Sequence, residues 1–179
     1  EENLRNANKA ILDDQNTIEN NQEKLFVVLG WKHDDRPEVG ELPDPDLNRI
    51  ASMNPAVDKE QAVENSYTMK VNKRKLENAK SSDTKETLEK TIREDTQSIG
   101  ASVTSSYQNV LAAKASMELK EAQAQLQEKS MQTTERQYHL GMIGRLDYLN
   151  RRYAYDSAVI QTQIAKYNLL QAIQSYEWV

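Results

Sequence analysis

Behind Pro55 the chain runs to residue 179 without another proline, and no other feature constrains its fold as much. An interior proline removes a helical hydrogen bond and clashes with the preceding turn, so a long proline-free run permits long helices. Within it, from Thr84 to Leu140, apolar residues recur in steps of three and four, predicting roughly 85 Å of helix at 1.5 Å per residue. Two stripes run along this segment. One is Leu88, Ile92, Ile99, Val103, Val110, Ala113 and Met117; the other is Ala112, Ala115, Leu119, Ala122 and Leu126. Both advance by about 3.5 residues per step, the period of a helix that packs lengthwise on another. Two offset seams imply neighbours on two flanks, as for a stave in a barrel.

All four prolines, Pro37, Pro43, Pro45 and Pro55, lie with Gly40 in a connector over residues 31–57, which has room for a short helix. Before it, residues 1–30 repeat every seven positions: Leu4, Ile11, Ile18 and Leu25 in one register, Ala7, Asp14, Asn21 and Val28 in its companion. This is a helical seam softened by two polar residues, which could line a water-filled lumen or set register, and it stops at Gly30. After the connector, Asp58 is expected to cap a helix over about 58–80. Asp83 and Glu86 have the spacing of a capping box at the start of a helix over about 84–140. A last helix is expected over about 145–178, with Leu146, Leu149, Tyr153, Ile160, Ile164 and Tyr167 on one side. Helix lengths then require two hairpins end to end: the last helix pairs antiparallel with about 106–140, and the helix over 58–80 pairs with 84–105. The expected class is all-α, elongated antiparallel helical hairpins of coiled-coil type.

The stretch RQYHLGMIGRLDYLNRR, residues 136–152, holds two of the chain's five glycines, three residues apart. Gly141 follows the last periodic residue, where a left-handed backbone ends a helix at little steric cost. Gly144 can be the next N-cap, which places Asp147 in the first turn, facing unpaired N–H groups and the positive end of the dipole. Ile143 and Tyr148 have the spacing of a hydrophobic staple. That completes a tight helical hairpin with tip 141–144. Met142 has no role in this local code; it either folds back between the helix ends or stands out as a contact residue.

These residues resemble a known family. Tyr138-His-Leu-Gly-Met-Ile-Gly-Arg-Leu-Asp-Tyr-Leu-Asn150 resembles the hairpin-tip motif of TolC-like outer-membrane efflux proteins. Leu25–Trp31 (LFVVLGW) is similar to the end of that family's first return helix, and Met53-Asn54-Pro55-Ala56-Val57 to the opening of its second repeat. The resemblance implies a TolC-like α-barrel protomer fragment: 1–30 the return helix of a first hairpin, 58–179 the helical hairpins of the second repeat. It implies a homo-oligomer, a trimer in the full-length protein, that forms an exit duct of a tripartite efflux or secretion system in the cell envelope, at the outer membrane and periplasm. Leu140, Gly141, Met142, Ile143, Gly144 and Arg145 would then dock on a periplasmic adaptor (membrane fusion) protein, linked in turn to an inner-membrane pump, with Asp147 holding the start of the second helix. Two positions depart from the pattern. Gly144 stands where the family has Ser or Thr. The place of two β-strands holds only Asn78–Glu86, where a strand pair needs roughly 20 residues, so no strands are expected there, whether by nature or by removal.

Composition agrees with helices that bury only a stripe: 37% hydrophobic, 28% charged and a single Phe. The net charge of −5 provides no electrostatic reason to expect nucleic acid or an anionic membrane as partner. There is no cysteine, hence no disulfide or thiolate metal site. No apolar run reaches the ~18–20 residues of a membrane span, and no signal-peptide pattern is present. The chain opens inside a helical pattern, as expected of a piece of something longer. His33 and His139 are far apart and lack ligand spacing, and no phosphate loop or nucleophile–base arrangement appears, so neither an enzyme nor a cofactor is expected. A scaffolding coiled coil without a transport role, or an adaptor-side hairpin, are the alternative functions.

Overall fold

The computed structural model describes residues 2–32, 40 and 43–179; His33 and Pro37 lie outside them. Among the described residues it is all-α, with six helices and no strand. The chain divides into two units, residues 1–41 and 42–179.

The first unit contains α1, Glu2–Leu29. The seven-residue ladder Leu4, Ile11, Ile18 and Leu25 is exposed along it. The helix ends as expected of glycine beyond the last turn: Gly30 has φ +70, its N–H donates to the Val27 carbonyl, and the Trp31 N–H donates to the Phe26 carbonyl at 2.9 Å. This paired 5→2 and 6→1 closure carries its usual apolar contact, since the Phe26 and Trp31 rings lie 5.8 Å apart and Phe26 is buried.

The second unit contains α2 (Leu47–Ser52), α3 (Pro55–Asn65), α4 (Tyr67–Asn78), α5 (Ser82–His139) and α6 (Arg145–Glu177). Pro55 occupies the first turn of α3, where its missing N–H costs nothing, and Asn54 caps it by accepting from the Ala56 N–H. Asp58 is therefore not the N-cap. It sits one turn in and its carboxylate accepts from the Asn54 N–H at 3.0 Å, closing the cap reciprocally. The helix expected over 58–80 is two helices, broken at Ser66, whose hydroxyl accepts from the Met69 N–H and starts α4. The capping box expected at Asp83 and Glu86 does not form: α5 begins two residues earlier, with Ser81 at the N-cap and no side-chain cap bond.

α5 and α6 are antiparallel partners. Tyr138 stacks on Tyr148, the Thr162 hydroxyl donates to the Lys120 carbonyl, and Tyr107 packs on Tyr176 at 5.9 Å. α3 and α4 pack on the first part of α5, where the Asn72 amide donates to the Asp95 carboxylate. The long helix is thus shared by two hairpins. The core is a pair of seven-residue ladders. On α5 it runs through Val103, Val110, Met117 and Met131; on α6 it runs through Leu169 and Tyr176, supported by Ala165 and Ile173. Val110 and Leu169 are 0% exposed.

At one end of this core the Tyr176 hydroxyl donates a short hydrogen bond to the Asp58 carboxylate, tying the end of α6 to the start of α3. Burial raises the Tyr176 phenol well above its ordinary range, and the bond to Asp58 adds to the rise. The neutral phenol is therefore favoured in the folded state. Its contribution is complete below the unfolded tyrosine pKa of about 10 and is lost as pH climbs above that value. Tyr176→Phe should cost about 1 kcal/mol at neutral pH and flatten the fall of Tm between about pH 9 and 11. Thermal denaturation followed by circular dichroism checks both; an unchanged alkaline slope in the variant would exclude this phenol as a source of it.

Candidate docking tip

The tip is built mainly by backbone geometry. Leu140 closes α5 with φ −83 and ψ 1, and Gly141 then turns left-handed at φ +70. The Gly141 N–H donates to the Tyr138 carbonyl and the Met142 N–H to the Gln137 carbonyl at 2.8 Å. This is the closure that ends α1, repeated at the other glycine stop, and a side chain at φ +70 would be strained in either. Gly144, extended at φ −76 and ψ 162, is the N-cap of α6; its carbonyl accepts from the Tyr148 N–H at 3.1 Å. No side-chain hydrogen bond completes this cap, and Asp147 is the acidic residue of the first turn, where a negative charge suits the positive end of the dipole. The Asp147 carboxylate lies 3.8 Å from where a β-carbon on Gly144 would stand.

Met142 does not fold back between the helix ends. It is 69% exposed, and Leu140 and Leu146 stand exposed beside it, while Ile143 is half-buried. Behind the tip, Tyr138 and Tyr148 stack with ring centroids 4.6 Å apart and planes 22° from parallel. The ring partner of Tyr148 is thus Tyr138, on the other helix, where a staple with Ile143 was expected. The two tyrosines clamp the helices one turn below the bend, so the bend is held rigidly. Sequence reasoning missed this clamp, and it placed Leu146 on the apolar side of the last helix without assigning it to the tip. A signal for the clamp was available: Tyr138 and Tyr148 are placed symmetrically about Ile143. Arg145 is exposed at the start of α6, and His139 is exposed beside Tyr138.

What this site offers is shape and apolar surface. It holds no buried acid–base pair, and among the described residues no group of three or more histidine or acidic side chains is gathered that could hold a metal ion. Among the described residues no helix is long and apolar enough to cross a membrane.

A second surface of the same unit bears on what the tip belongs to. On α6, Leu146, Leu149, Tyr153, Ile160, Ile164 and Tyr167 are all exposed. The side that meets the partner helix is a different one, with Ala158, Thr162, Ala165, Leu169, Ile173 and Tyr176. Along α5 the second stripe, Ala112, Ala115, Leu119, Ala122 and Leu126, is exposed as well. No protein-family model, curated protein or solved structure matches the chain.

Proposed function

We propose that this chain is the helical part of an exit-duct protomer of TolC-like type, in an efflux or secretion assembly of the cell envelope. Copies of it pack side by side as staves of an α-barrel, three protomers in the full-length protein. The tip Leu140–Arg145 docks on a periplasmic adaptor protein and through it serves an inner-membrane pump. The observation that carries this reading is the outer ladder of α6: its largest apolar residues face away from its own hairpin partner. Solvent does not favour Leu, Ile and Tyr at regular seven-residue spacing, whereas a neighbouring helix does. The exposed second stripe of α5 supports a neighbour on the other flank. The rigid, apolar, uncharged turn at Met142 and Ile143 supports docking, and the tip motif's resemblance to the efflux family agrees with both.

Light scattering on the full-length protein is the test of assembly, with a stable oligomer as the expected result; a strict monomer at high concentration overturns the reading. At the tip, Met142→Asp combined with Ile143→Asp should abolish capture by the purified adaptor hairpin and leave helicity unchanged. An unpaired carboxylate buried in an apolar contact costs several kcal/mol, so the expected loss exceeds about 100-fold. Undiminished capture refutes the docking assignment.

A further inference from the structure

The end of the second unit farthest from the tip has a charge the whole chain does not. Between Lys70 and Lys85 lie six cations, Lys70, Lys73, Arg74, Lys75, Lys80 and Lys85, against two carboxylates, Glu77 and Asp83, on a chain of net charge −5. All six cations are exposed. Elsewhere cations are matched along helices, as Lys90 with Glu94, Lys114 with Glu118 and Arg152 with Asp156. Among the described residues none of these six is in an ion pair; Lys70 donates to the Asn65 carbonyl, and the rest face solvent. The net charge had pointed away from anionic partners, and it conceals this cluster.

Beside the cations lies a shallow groove of about 760 Å³ between α4 and the start of α5. Its apolar lining is Val71, Ala79 and Leu88; Arg74 and Lys75 line it too, with one carboxylate, Asp83. We infer that this end of the α4/α5 hairpin rests on an anionic phospholipid surface, with lipid headgroups on the cations and the groove taking the apolar part of a lipid at the interface. Two observations and one general rule select a lipid surface. The cations are spread over roughly 200° of the exposed circumference of α4 and over the following turn, so they match distributed charge better than one point anion. Clusters of four to eight Lys or Arg on a helix bind anionic leaflets in this way. The groove between them is aliphatic, and it lacks the stacking aromatics by which a protein holds single-stranded nucleic acid. α4 cannot itself insert, because its apolar side is already used: Met69 is buried, and Asn72 is bonded to Asp95 on α5. The contact is therefore peripheral and electrostatic. It requires neither assembly nor tip docking.

The test is flotation of the whole chain with vesicles of phosphatidylcholine alone or with one third phosphatidylglycerol, at low and high salt. The wild type should float only with the anionic vesicles and detach in high salt. Each cation near such a surface contributes roughly a five-fold factor in partitioning. Lys73→Glu, Arg74→Glu and Lys75→Glu together should therefore weaken it by about 100-fold, with helix content unchanged because all three side chains are exposed. The same number of reversals on the tip half, Lys129→Glu, Arg151→Glu and Arg152→Glu, should leave binding intact. The inference is overturned if the wild type does not bind or binds neutral vesicles equally. It is also overturned if the two triple variants behave alike, or if duplex DNA in solution competes the protein off the vesicles completely.

Discussion

Changing Ile160 and Ile164 together to glutamate should convert the assembled protein to monomer without loss of helix. Both residues are half or more exposed within a single copy, at 59% and 50%, so the monomer tolerates the change. Surface substitutions of this kind alter stability by roughly 0.5 kcal/mol or less. In the proposed assembly the same positions would lie in a helix–helix seam. There two carboxylates, one helical turn apart, lose hydration without gaining partners, and each copy adds another pair. A penalty of several kcal/mol per interface raises the dissociation constant by more than about 100-fold. Sedimentation equilibrium on the wild type and the variant decides it, with far-ultraviolet circular dichroism to show equal helicity. Equal masses for the two would mean that the outer ladder is not the contact surface, even if the wild type is an oligomer.

Leu169→Ala is expected to have the opposite character: severe within one copy. Leu169 is 0% exposed and belongs to the core cluster with Val110, Met117 and Ile173, between α5 and α6. Truncation removes its transfer free energy and leaves a cavity that two long, stiff helices cannot easily close. The expected loss is about 3 kcal/mol, within the range of buried leucine truncations. Chemical denaturation of a monomeric background, such as the glutamate pair above, isolates this value from assembly. A loss below about 1 kcal/mol would show that the inner ladder is not the main source of hairpin stability. The contrast between Leu169 and Ile160, nine residues apart on one helix, separates what folds the hairpin from what joins hairpins.

That contrast also shows where sequence reasoning succeeded and where it failed. Glycine stops and proline-free runs act locally, so the bend at Gly141 and the α5 and α6 spans were readable from single residues. The pairing of α6 with the second half of α5 followed from lengths alone. The inward side of α6 did not follow, because the inner ladder is written in small residues. Ala158, Thr162 and Ala165 let two helices approach closely, and they make a weaker apolar signal than Ile160, Ile164 and Tyr167 opposite. Residue size alone does not say which face is inward; only the partner helix distinguishes the two. Ser66 left no mark either, since a serine hydroxyl can cap a new helix or simply decorate an old one. Asp58 was correctly picked out as a capping residue but assigned to the wrong role, because Asn54 lies one turn earlier and Tyr176 reaches it from 118 residues away. Summing charge over the chain hid the cations of α4 for the same reason that averaging hides any local cluster.

The seven-residue step of the inner ladder has a geometrical consequence. A straight α-helix drifts by about 20° for every seven residues, so from Val103 to Tyr138 the inward stripe of α5 would swing through roughly 100°. Contact held along that whole length obliges the two helices to coil about each other with a left hand. The outer stripes keep the same step and are carried round with them, so a neighbouring copy, in the assembly proposed above, would follow them only by leaning at a matching inclination.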